Sequence, residues 1–212
     1  MRLRTLSLVF AGLLLPLALA CGGSSSSSSA TASSTPAKSL AYSDPSGPGW
    51  RLVKDASSTS TRIVLDLVGP SGLMTRGVGF NLQASAKLKF GTFANGLPIN
   101  DTGVYQLLSA AADPNEPVAL IGGVKPGNLL SVGIYQKDRA QSAQDSGSPL
   151  CQIAVVLDPA LGISAGDKLP FQVVKAKAIP EDIGSVTDDL WTLNQKTRMT
   201  DITVATGTLS AK

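Results

Sequence analysis

A chain of 212 residues with no histidine excludes every mechanism that needs an imidazole, including Ser-His-Asp and Cys-His nucleophiles and all histidine-ligated metal sites. Its formal charge of +3 falls to +1 when residues 1–20 are set aside with Arg2 and Arg4. No Lys/Arg run then offers an electrostatic footprint for nucleic acid or anionic lipid.

Arg2 and Arg4 precede an apolar run from Leu6 to Ala20, and small residues lead up to Cys21. This is the layout of a secretory signal, and it predicts a leader over 1–20. As a helix the run spans about 22 Å, short of the roughly 30 Å hydrocarbon core, and Pro16 interrupts it. A permanent membrane span is therefore not expected.

Ala18-Leu19-Ala20-Cys21 resembles the lipobox of bacterial lipoproteins, although Leu17 and Leu19 straddle the position where that motif has its leucine. The resemblance implies a lipidated Cys21 and a membrane partner reached through the lipid anchor. Gly22 after the cysteine implies the outer membrane, if the source has two membranes. The other reading is an ordinary signal with an unmodified Cys21 just past an Ala-x-Ala cleavage site. With Cys21 lipidated, Cys151 has no intramolecular partner, and the fold must stand on its core rather than on disulfides.

Residues 21–40 are dominated by serine, with an unbroken run from Ser24 to Ser29. They read as a flexible linker that is either a spacer of functional length or simple disorder. Residues 41–212 remain for one domain, long enough for a sizeable core.

The turn formers from Tyr42 to Gly49 give way to a strand at Trp50–Lys54. A hairpin across Asp55–Thr61 leads to Arg62–Val68, which alternates Ile63, Leu65 and Leu67 against Arg62, Val64 and Asp66. Val78, Phe80 and Leu82 alternate with Gly77, Gly79 and Asn81, where the glycines suggest a bulge, the better reading, or a close backbone or ligand approach. Short apolar runs follow at Leu88–Phe90, Val104–Leu108 and Val118–Ile121. Lys125-Pro126-Gly127-Asn128 reads as a type II turn into a strand over Leu129–Gln136.

In Leu150–Leu157 the residues Cys151, Ile153, Val155 and Leu157 share one face, which predicts a buried thiol. Leu169, Phe171 and Val173 open a strand that runs to Ile179, and Ile202, Val204 and Thr206 close the chain before Gly207 and Leu209. Between these two, Glu181–Thr200 is irregular, with a short helix predicted near Asp188–Asn194.

At least nine short strands separated by Gly/Pro-rich turns predict an all-β antiparallel sandwich or jelly roll. The order of Leu150–Leu157, the connection ending at Gly166, Leu169–Ile179 and a closing strand through Gly207 resembles the later strands of cohesin domains. Carbohydrate-binding modules have similar spacings. Either resemblance implies a non-catalytic sandwich with a protein or polysaccharide partner.

Glu181, Asp182, Asp188 and Asp189 supply the oxygen ligands calcium prefers, or else a solvated loop. Trp191 beside them either plugs the sandwich or offers a surface for stacking a sugar, for which Trp50, Tyr42, Tyr105 and Tyr135 are the other candidates. A glycoside hydrolase working through two carboxylates is the remaining alternative, and it requires a cleft holding two close acids. The leading expectation is a lipid-anchored envelope protein whose sandwich is structural or an interaction module, not an enzyme.

Overall fold

The structure, a computed structural model, describes residues 35–108, 118–136, 143–180 and 199–212. Among them are thirteen strands: β1 (Leu40–Ser43), β2 (Arg51–Lys54), β3 (Arg62–Val68), β4 (Met74–Ala84), β5 (Lys89–Phe90), β6 (Tyr105–Leu107), β7 (Val118–Lys125), β8 (Leu129–Gln136), β9 (Gln144–Asp145), β10 (Cys151–Val156), β11 (Phe171–Pro180), β12 (Thr200–Asp201) and β13 (Thr208–Ala211). The fold is an all-β sandwich, and every strand pairing is antiparallel.

One sheet runs β2-β3-β10-β5, with β6 also on β10, and the other runs β12-β11-β4-β8-β7, with β9 on β4. β1 and β13 form a third, two-stranded piece. The predicted hairpins β2–β3 and β7–β8 are present in full register. At the β7–β8 turn Gly127 and Asn128 both take positive φ, 79° and 58°. The Asn128 amide then donates to Ser85 O at 2.6 Å and Leu88 O at 3.0 Å, so the turn is fastened to the β4–β5 connection.

The period-two residues meet between the sheets. Leu52, Ile63, Leu65, Leu67, Leu82, Leu130, Ile153 and Val155 are wholly buried in one cluster with Phe80, Phe90 and Phe171. Each fully buried aliphatic side chain of this kind contributes about 1.5–3 kcal/mol, which lets the fold dispense with disulfides. Tyr105, also wholly buried, spans the sandwich from β6, and its hydroxyl lies 2.7 Å from Ile121 O and 3.1 Å from Gly133 O on the opposite sheet.

Several features depart from the expected elements. The chain is bonded into the fold before the turn cluster: Ala165 N–H donates to Thr35 O, Ala37 N–H donates to Ile163 O, and β1 pairs with β13. β1 reads poorly in sequence because Leu40 and Tyr42 are its only large apolar residues, and the partner that stabilises them lies about 170 positions away. The bulge expected at the Gly77 region is real. Thr75 and Gly77 face consecutive residues Pro180 and Ile179, which leaves Arg76 as the extra residue, and Gly77 N–H donates to Thr75 Oγ1. A second irregularity falls at Val174 on β11, between Val173 and Lys175. The connection after β10 forms a 3-10 turn, Pro159–Leu161, capped by the Asp158 carboxylate, which accepts from Ala160 N–H.

Candidate functional site

Cys21, Glu181, Asp182, Asp188, Asp189, Trp191 and the predicted helix near them lie outside the described residues. Among the described residues no group of three or more Cys, Asp or Glu side chains is placed to hold a metal ion.

The aromatic candidates are mostly interior. Trp50 and Tyr105 are buried in the core. Tyr42 is buried as well, its hydroxyl donating to Leu52 O and accepting from Gly207 N–H, with its ring edge-on to Phe171. Only Tyr135 of the four described candidates faces outward, half-buried.

Cys151 sits opposite Leu67 on β3 and Leu107 on β6, wholly buried and beside Ile153 and Val155. Burial pushes its thiol well above the ordinary range, and the Asp66 charge adds to the shift. It should resist thiol reagents in the native protein and react only on unfolding, and Cys151→Ala should cost on the order of 1 kcal/mol. Rapid labelling of the folded chain would show that the register of β10 is wrong.

The two outer sheet faces differ sharply. On the smaller sheet, Val64 and Ala154 lie under Phe93 in a second apolar cluster. The Arg62 guanidinium covers that ring at 4.9 Å, and its Nη2 donates to Thr92 O. In the next cross-strand row, Asp66, Gln152 and Gln106 face one another on β3, β10 and β6 and are only 8%, 9% and 1% exposed. Gln106 Nε2 donates to Gln152 Oε1, and Gln152 in turn hydrogen-bonds the Asp66 carboxyl. Asp66 Oδ1 and Gln106 Oε1 have no hydrogen-bond partner.

Desolvation raises the Asp66 pKa to about 6, against the lowering effect of Gln152 and with a further rise from the Asp55 charge. Asp55 at the β2–β3 turn is lowered instead, chiefly by the Ser57 hydroxyl that donates to it. Asp55 and Asp66 are therefore two neighbouring acids with opposite shifts, Asp66 buried and Asp55 half-buried. Sequence alternation set Asp66 on the face opposite Ile63, Leu65 and Leu67, and nothing local shows that this second face is covered.

Among the described residues the larger sheet leaves its outer face open. Residues opposite one another in antiparallel pairs share a face. One outward row is therefore Lys175, Asn81, Ser131 and Gly123, a second is Lys177, Gly79, Gly133 and Ile121, and a third holds Gln172, Gln83, Leu129 and Lys125. All of these are half-buried or exposed. Glycine is required at Gly133 because Ile121 lies across it, and a Cβ there would come within 2.6 Å of Ile121 Cγ1. The surface is mostly polar and positively charged, with Lys177 held 2.8 Å from Asp201 at the β12 edge. Such a surface offers hydrogen bonds and a shape to a partner.

No family model and no curated protein matches the sequence. Among solved structures, the chain is similar to the sixth cohesin of scaffoldin B from Acetivibrio cellulolyticus, crystallised with a dockerin. The identity is 12% and the TM-score 0.47, over 76% of this chain and 96% of that one.

Proposed function

We propose that this chain is an envelope protein anchored through a lipidated Cys21, and that its sandwich is a non-catalytic interaction module that binds a protein partner on the outer face of β11-β4-β8-β7. The observation that carries the interaction reading is the asymmetry of the two sheets: on the smaller one Val64, Asp66, Gln106, Gln152 and Ala154 are buried on the outer face, while the outer rows of the larger one are half-buried or exposed among the described residues. The anchor reading is supported by the leader, the small residues before Cys21 and the serine tract after it.

The face is tested with Asn81→Arg/Ser131→Arg, two half-buried outward positions. The mature protein should cross-link to a specific envelope protein, and the double variant should lose that product while keeping the wild-type melting temperature. Retention on polysaccharide gels abolished by the same variant would replace the protein partner with a glycan. Undiminished cross-linking would remove the face from the reading. Separately, Cys21→Ser should move the protein from membranes to the soluble envelope fraction, and absence of acyl mass on the wild-type N-terminal peptide would refute the anchor.

A further inference from the structure

Three lysines distant in sequence meet where the linker joins the sandwich. Lys38 N–H and Ser39 N–H both donate to Lys212 O, and Lys212 N–H donates back to Ser39 O. Ala211 N–H donates to Asp167 O, and Lys168 stands opposite Ser210. At about 4.8 Å between neighbouring strands, this pairing sets Lys38, Lys168 and Lys212 within one or two strand spacings of each other. All three are exposed, and none forms an ion pair among the described residues.

The acids close by are already engaged. Asp167 is 2.7 Å from Lys87 Nζ, and Asp158 is 4.0 Å from Lys89 Nζ. Among the described side chains the end therefore keeps a positive surplus. The Pro159–Leu161 turn adds an apolar tip, with Leu161 38% exposed. It is joined to the point of chain arrival through the Pro36–Ser164 bridge and the bond from Ala37 N–H to Ile163 O.

We infer that this end of the sandwich docks on an anionic phospholipid surface, with Lys38, Lys168 and Lys212 at the phosphates and Leu161 in the interfacial layer. Charge complementarity and the linker both favour that occupant. Residues 22–34 separate Cys21 from Thr35, and a serine-rich segment of thirteen residues behaving as a random coil would reach only about 20 Å in root-mean-square terms. Once Cys21 is acylated, docking is an intramolecular step at high effective concentration, so weak surface contacts suffice to orient the domain. This amplification rests on the anchor proposed above, whereas the basic end itself does not. The linear sequence has no basic run because the fold gathers the three lysines from segments some 40 to 170 residues apart.

The test uses the mature chain carrying Cys21→Ser, so that no acyl chain contributes and a failed anchor cannot be mistaken for a failed surface. It should co-sediment with vesicles of equal phosphatidylglycerol and phosphatidylcholine, bind vesicles of phosphatidylcholine alone far less, and dissociate as salt is raised. Lys38→Glu/Lys168→Glu/Lys212→Glu should weaken binding by at least about a hundredfold, at roughly fivefold per lysine. Leu161→Ser should weaken it severalfold. Lys54→Glu/Lys125→Glu/Lys175→Glu, with the same change in net charge elsewhere, should retain most of it. Equal losses in the two triple variants, equal binding to both vesicle types, or no binding to either would overturn the proposal.

Discussion

Asp66→Asn should stabilise the protein at pH 8 by up to about 3 kcal/mol and leave it almost unchanged at pH 4. Asp66 is 8% exposed, its Oδ1 has no hydrogen-bond partner, and its neighbour Asp55 carries a second negative charge. Both conditions favour the neutral carboxyl, and its folded pKa is raised to about 6, against an ordinary value of 3.8.

A raised carboxyl pKa means that the folded state holds the proton more tightly than the unfolded chain. The fold therefore has the full benefit of neutral Asp66 below about pH 4, loses it progressively between about 4 and 6, and bears the charged group above that. The shift of about two pH units corresponds to about 3 kcal/mol at 1.36 kcal/mol per unit. Asparagine removes the charge at every pH. Its Oδ1 takes the hydrogen bond from Gln152, and its Nδ2 turns to the Asp55 carboxylate.

The depression of Asp55 acts below its own ordinary value and stays outside this window. Urea unfolding at the two pH values measures the difference. An equal effect at both, or a loss of stability at pH 8, would show that the Asp66 carboxylate is solvated or paired, and that the buried polar row is wrong.

Asp66 also marks where sequence reading stops. Two-residue alternation in Arg62–Val68 and Cys151–Val156 correctly assigned Ile63, Leu65, Leu67, Cys151, Ile153 and Val155 to one buried face, because that periodicity is local. It set Val64 and Asp66 on the opposite face, and did not show that both are buried there as well. Phe93, almost thirty residues on, covers Val64, and no pattern within a strand records that cover.

The strands with strong local signals, β8 and β10, were legible almost to the residue, while β1, β9 and β12 were not, being short and dependent on distant partners. The same limit applies to the surfaces. The open face combines alternate residues of β11, β4, β8 and β7, and the basic end combines Lys38, Lys168 and Lys212, so each exists only once the strands are paired.

Gly207→Ala should destabilise the fold by at least about 3 kcal/mol, lowering Tm by roughly 6–12 °C for a domain of this size. A Cβ at Gly207 would lie 1.9 Å from Ser43 O, 2.9 Å from Ser43 C and 2.7 Å from Tyr42 Cζ. None of these can yield cheaply. Ser43 is held by β1–β13 pairing, opposite Thr208, and the Tyr42 ring is fixed by three contacts. Its hydroxyl donates to Leu52 O at 2.9 Å and accepts from Gly207 N–H at 2.7 Å, while its ring packs edge-on to Phe171 at 6.2 Å.

The added methyl must therefore push β1 away from β13, breaking the Tyr42 bridge to β2 and exposing Leu40, Leu209 and Ala211, which are buried in the core cluster. The close approach is specific to this site. Gly49 has open space where its Cβ would stand, and Gly49→Ala should change stability by no more than about 0.5 kcal/mol. Thermal unfolding of the two variants side by side isolates the steric effect from the general consequences of replacing glycine. If Gly207→Ala melts with Gly49→Ala, the chain ends are not closed by β1 and β13 as described, and the basic end built on that closure falls with it.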